Sequence, residues 1–326
     1  MEVETCFMSL REGAETIINQ SLDVKDDESV LVLNDANDEE LIESLLDVLV
    51  DRDIEHKLIN YEEPESEGAE PPEPVARKMR NFDVVIAPTM KSISHTDARK
   101  DANKAGTRVA TLPTVNKEIW KTSLQADYKK VKEITEKAYR LLEETNEVRI
   151  QTPSGTDLKF DIEIETYHND TGIIQEEGAF GNLPAGEPNG YPTNINGTLV
   201  LDHFTFSPSA KKVEIKNGEV IALENMEGEN SSELEKAFEQ HPCSKKIAEF
   251  GFGTNPEAKL IGKTIQDEKV LGTVHIAFGD NCSYVKEEDE RRNPCPIHWD
   301  SVCENPTVYF DDKLILDEGE PVFLDE

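Results

Sequence analysis

The chain has 326 residues, with 34 Lys and Arg against 68 Asp and Glu, giving a formal net charge of −34 at neutral pH. So negative a field repels phosphate backbones, which excludes general nucleic-acid binding and anionic membranes and leaves cationic or metal-bound partners open. An apolar content of 37% is too high for a wholly disordered acidic chain, and at roughly 150 residues per domain the length predicts about two domains.

The start, MEVETCFMSL, lacks a basic segment followed by an apolar one, and no apolar run approaches the roughly 20 residues of a membrane span. Five cysteines, an odd count, argue against a disulfide framework and for a reducing interior, so a cytoplasmic protein is expected. The acidic excess is compatible with a high-salt habitat, although lysine outnumbers arginine.

In chain order, Ser29–Leu33 (SVLVL) reads as a buried strand. Asp38–Val50 reads as a helix with Leu41, Ile42, Leu45, Leu46 and Leu49 on one face and Asn37 or Asp38 as its cap. Glu55–Asn60, Phe82–Ala87 and Thr107–Leu112 are further strands, with SISHTDARKDANKAG a capped helix that stops at Gly106. This β-α-β rhythm predicts a doubly wound, Rossmann-like parallel sheet over residues 1–146. No G-x-G-x-x-G follows the first strand, so a dinucleotide fingerprint is lacking. Tyr61–Pro74 (YEEPESEGAEPPEP) reads as an exposed acidic loop, and a long helix is expected over about Ala126–Asn146.

From residue 147 short strands are broken by Gly, Pro and Asn, predicting an α+β domain over 147–326. One hairpin turns at Ser154-Gly155. A second turns at Asn217-Gly218, the strongest short-range signal in the chain. ELEKAFEQH and PCSKKIAEF read as helical or mixed.

Chemistry-bearing residues concentrate in this second half. His298 and Asp300 in IHWDSV are two apart and share one face of a strand; an exposed pair on an edge strand has the same spacing. In GTVHIAFGDN, Val274, Ile276 and Phe278 alternate with Thr273, His275 and Ala277, so the histidine has small neighbours on its own face. A buried His bonded to backbone would also fit. Glu249 sits between Ala248 and Phe250, where a lone buried charge costs several kcal/mol unless paired or metal-bound. Glu187 lies in GNLPAGEPNG, which reads as a shaped loop.

Together Glu187, Glu249, His275, His298 and Asp300 suit a pair of divalent cations and a bridging hydroxide, and so hydrolysis of a carbonyl or phosphoryl group. A rival site, a structural zinc on Cys282, Cys295, His298 and Cys303, has irregular spacing. Packing around the site is the plainer role for those cysteines.

The ordered set Glu187 in GNLPAGE, Glu249 in AEFGFGTNPEA, His275 in GTVHIAFGDN and His298 and Asp300 in IHWD resembles the thermophilic leucyl aminopeptidase (aminopeptidase T) family. SISHTDAR and TPSGTDLKF extend the resemblance over nearly the whole chain. It implies a cytoplasmic homodimeric metallo-aminopeptidase, a hydrolase whose five named residues hold two divalent ions (zinc, cobalt or magnesium) and whose substrate is a peptide. In that mechanism Glu249 doubles as the proton-transfer group, Glu268 supports it from behind, and Tyr284 donates to the oxyanion. Ser94 or Thr96 capping the following helix explains SISHTDAR; the alternative is that His95 and Arg99 reach the active site of the partner subunit and contact the substrate carboxylate.

The family's tyrosine falls on Cys282, with Tyr284 two residues beyond, and its acid ahead of the first histidine is shifted to Glu268. The 2,5-dihydroxypyridine dioxygenases are also similar. They bind one iron through two histidines and an aspartate, have histidine at the position of Glu249, and lack the carboxylate and histidine found here at Glu187 and His275. The intact set of five favours the two-metal pattern, with the iron dioxygenase as the alternative and a non-catalytic acidic binding protein as the third reading.

Overall fold

The continuous apolar run of the first strand is what a sheet covered on both faces requires. In the computed structural model, which describes residues 10–66, 68–204, 211–225 and 232–325, that run is the strand Ser29–Asn34, buried along nearly its whole length. It lies within a five-stranded parallel sheet of order Glu55–Asn60, Ser29–Asn34, Val84–Ala87, Arg108–Thr111, Phe180–Asn182. The helix Glu39–Asp51 is capped by Asp38, whose side chain accepts from the Glu40 N–H, and it buries Leu41, Ile42, Leu45 and Leu49 as its periodicity predicts.

The helix Asp97–Lys104 begins with Thr96 accepting from the Arg99 N–H, and the chain turns at Gly106 with φ +98°. Glu70, from the acidic loop, accepts from the Asp97 and Ala98 N–H groups and so serves the same helix start.

The remaining sheets are antiparallel. One has seven strands in the order Glu219–Asn225, Lys211–Lys216, Thr193–Val200, Asp157–Asp161, Glu147–Gln151, Thr307–Phe310, Lys313–Leu316. Both expected hairpins belong to it, and Asn217 and Gly218 take φ +50° and +78°, the left-handed pair that a two-residue turn needs. The other has six strands in the order His203–Phe204, His298–Cys303, Val274–Gly279, Ile247–Phe252, Glu187–Gly190, Tyr167–Asp170. Phe250, Phe252, Val274, Ile276 and Phe278 of this sheet share a core with Val148, Ile150, Leu158 and Phe160 of the seven-stranded sheet and with Ala138 and Leu142 of the helix Tyr128–Glu143.

The fold is thus a parallel α/β part and a β-rich part. The sequence suggests one cut after Asn146, whereas the chain crosses several times: one unit comprises the chain to Lys132, Thr171–Ala185 and Pro256–Lys259, and the other Glu133–Asp170, Gly186–Asn255 and Leu260–Glu326. Among the described residues no helix is long and apolar enough to cross a membrane.

In the first unit Arg108 makes a two-pronged pair with Glu28, at 2.7 and 2.9 Å, and also donates to the Leu22 carbonyl. The side chains are 10% and 19% exposed. The hydrogen bond from Arg108 holds the Glu28 carboxyl below the usual carboxylate range. A folded-state pKa below the unfolded one stabilises above the unfolded value and is lost as pH falls through the folded value. Glu28→Gln should therefore cost roughly 2 to 3 kcal/mol at neutral pH, with the gap to wild type closing in acid, as read from urea unfolding across pH.

Candidate metal centre

The site is built on four neighbouring strands of the six-stranded sheet. Pairing sets Glu249 opposite Ala277 and Ala277 opposite Asp300, while Gly251 faces His275 and Gly279 faces His298. Glu249, Asp300, His275 and His298 therefore each have a small residue beside them. At Gly251 the room is used fully, because a Cβ there would lie 2.0 Å from His275 Cε1. The alternate residues of the Val274–Gly279 strand, Val274, Ile276 and Phe278, point into the core.

All five expected ligands come together. Glu249 is the hub: its Oε2 lies 3.0 Å from His298 Nε2, and its Oε1 lies 3.3 Å from His275 Nε2. His298 Nε2 is also 3.5 Å from Asp300 Oδ1, and His275 Nδ1 is 3.7 Å from Glu187 Oε2. Glu187 begins a strand rather than sitting in a shaped loop, with Asp170 paired opposite.

Glu249, His298 and Asp300 form one set of potential ligand atoms within 4.8 Å of each other, and Glu187, Glu249 and His275 form a second. A third consists of Glu268, His275 and Asp300. Glu187, Glu249, His275 and Asp300 are buried, whereas the His298 side chain is 37% exposed and gives the cluster its edge to solvent.

Electrostatics reinforce the hub. Burial would raise the Glu249 carboxyl, but hydrogen bonds from His275 and His298 hold it well below the usual carboxylate range. Burial would lower His275, but the Glu187 charge and the Glu249 hydrogen bond push it up to about 9. Against burial, Asp300 and Glu249 likewise hold His298 well above the ordinary histidine range.

His298 Nδ1 lies 2.9 Å from the Asp280 carbonyl, an acceptor only, so this nitrogen carries the proton. Nε2 is then aimed at two carboxylates and must hold either a second proton or a metal ion. Such a backbone anchor is how a ligating imidazole is held in the correct tautomer. Glu187 Oε2 and His275 Nδ1 are buried without a hydrogen bond. The donor set of imidazole and carboxylate thus fits a divalent transition metal.

Three groups here escaped the sequence reading. Asn189 donates to Glu249 Oε1 at 2.9 Å, to Glu187 Oε1 at 3.2 Å and to the Tyr284 hydroxyl at 3.1 Å, which places Tyr284 at the rim of the cluster. Lys269, whose side chain is 3% exposed, pairs with Glu187 and, at 2.7 Å, with Glu268. Asp280 contributes only its backbone carbonyl to His298. Position gave the one available signal: Asn189 lies two residues after Glu187 and so on the same strand face, and Lys269 follows Glu268 directly.

The zinc alternative is corrected, because Cys295 is bonded to Cys243 in a disulfide, leaving Cys282 and Cys303 as the free cysteines among those described. His95 and Arg99 belong to the first unit. Arg99 Nε donates to the Ser94 carbonyl and its guanidinium lies 4.0 Å above the Phe180 ring.

A family profile described as NicX, 2,5-dihydroxypyridine 5,6-dioxygenase, matches residues 20–323. The chain belongs to this family. Among solved structures, the 2,5-dihydroxypyridine dioxygenase of Pseudomonas putida KT2440 is similar with a TM-score of 0.78 at 19% identity, covering 96% of both chains. AmpT from Thermus thermophilus is similar with a TM-score of 0.69 at 15% identity, over 97% of this chain and 99% of that one. Identities this low show a shared fold alone. Comparison with curated proteins gave no match.

Membership of the dioxygenase family overturns the hydrolase reading and the proteolytic activity that went with it. The reason lies in the ligands: carboxylate and imidazole on adjacent strands serve Lewis-acid hydrolysis and iron–oxygen chemistry alike, so their order in the chain reports a metal-binding fold rather than a reaction.

Proposed function

We propose that the protein is a ring-opening dioxygenase that adds both atoms of O2 to a dihydroxylated pyridine, using one ferrous ion held by Glu249, His298 and Asp300. The family match over residues 20–323 carries this reading. The convergence of those three side chains, one of them reaching solvent, supports it. A ferrous ion supplies the one-electron chemistry that lets O2 react with an electron-rich ring.

The chain's own residues prepare the place. The Asp280 carbonyl holds the Nδ1 proton of His298 and turns Nε2 inward. Asn189 and His275 both occupy Glu249 Oε1, which leaves Oε2 directed at His298. On this reading Glu187 and His275 support the metal ligands instead of binding a second ion. The exposed edge of His298 admits the substrate, with the Tyr284 hydroxyl beside it through Asn189.

The test is to load the protein with Fe(II) without oxygen, add 2,5-dihydroxypyridine and then oxygenated buffer. Loss of the aromatic absorbance with equimolar O2 uptake is expected. An unchanged ring with no O2 uptake would contradict the proposal.

A further inference from the structure

Four carboxylates, those of Glu187, Glu249, Glu268 and Asp300, crowd the three overlapping ligand sets. Unpaired charges at such burial are costly, so the cluster must hold cations. Lys269 is a cation the chain supplies itself. Its two ion pairs take Glu187 from the set shared with Glu249 and His275, and Glu268 from the set shared with His275 and Asp300. Neither pair draws on Glu249 or Asp300, the carboxylates of the remaining set.

Lys269 has no solvent-facing role, because its side chain is 3% exposed. Its backbone is fixed as well: its N–H donates to the Gln266 carbonyl, and its own carbonyl accepts from Asn255. The ammonium is thus a permanent component of the cluster.

We propose that Lys269 takes the place of a second metal ion and makes this a one-metal centre. The inference deepens the single-metal reading above and rests on it. Two divalent ions would balance four carboxylates outright if the lysine were absent. With the ammonium present, Glu187 is already held, and a second divalent ion must first displace Lys269 from it. Removing the ammonium leaves Glu187 Oε1 with Asn189 alone, beside Glu187 Oε2 and His275 Nδ1, which have no hydrogen bond in the intact cluster.

Cobalt(II) tests this independently of turnover, through equilibrium dialysis and the visible absorption of the bound ion. Wild type should bind one Co(II) per chain. Lys269→Gln and Lys269→Met, which keeps the unbranched apolar stem, should bind two, and His275→Ala added to either should return the count to one. Lys269→Arg, which keeps the charge, should stay at one. Two Co(II) per wild-type chain would overturn the proposal, as would one per chain in a folded Lys269→Gln or Lys269→Met. The wild-type count stands even if neither variant folds. A protein that binds one Co(II) and shows these shifts, yet does not open the ring, would refute the substrate reading and leave the role of Lys269 intact.

Discussion

Glu249→Gln should lose Fe(II) affinity by more than about 100-fold and ring-opening turnover with it, since the loss of an orienting group alone costs 10- to 100-fold. The change preserves shape, so packing against Ala277 survives. It removes the charge that holds His275 and His298 in place, and the new amide nitrogen, set where Oε2 faces His298 Nε2 at 3.0 Å, would donate to the lone pair the metal needs. Amide oxygen in the Oε1 position still accepts from Asn189, which keeps the strand pairing in order. Circular dichroism should therefore match wild type while metal content falls. Full iron content and full turnover in this variant would remove Glu249 from the centre.

Gly251→Ala should reduce turnover on the order of 100-fold through geometry alone, the scale expected when a site is misplaced by about 1 Å. The added methyl would sit 2.0 Å from His275 Cε1 and 2.5 Å from Nε2, so the ring must swing away and surrender its contact with Glu249 Oε1. Overpacking of this kind costs about 1 to 3 kcal/mol of stability. If the damage passes through His275, the double variant Gly251→Ala with His275→Ala should be no slower than His275→Ala by itself, a strong departure from additivity. Independent, additive losses would show that the methyl acts elsewhere.

Much of the second unit was legible because a strand's alternation is local. Val274, Ile276 and Phe278 announce a core face, and His275 and Ala277 the opposite one; the structure keeps that division. The parallel sheet was legible for a similar reason, its strands being short apolar runs between helices with recognisable caps at Asp38 and Thr96.

Glu187 was harder to place. Its Gly-Pro-Asn surroundings read as a loop, but pairing with Asp170 from a distant segment makes it the start of a strand. Lys269 was hard to read because its place beside Glu268 is only a weak mark in an acidic chain, and its meaning depends on Glu187, 82 residues away in sequence. The Cys243–Cys295 bond spans 52 residues and likewise has no local signature.

The reaction itself was misread for a chemical reason. Imidazole and carboxylate side chains serve Lewis-acid hydrolysis and iron–oxygen chemistry alike, so the residue types at the site do not by themselves report the reaction.

On the proposed function, both atoms of O2 enter a ring-opened product. The most direct measurement is mass spectrometry of the product formed from 2,5-dihydroxypyridine by the Fe(II)-loaded protein under 18O2. Two labelled oxygen atoms per product molecule are expected. A product whose added oxygen comes only from water, or an unaltered ring, would contradict dioxygenation of this substrate.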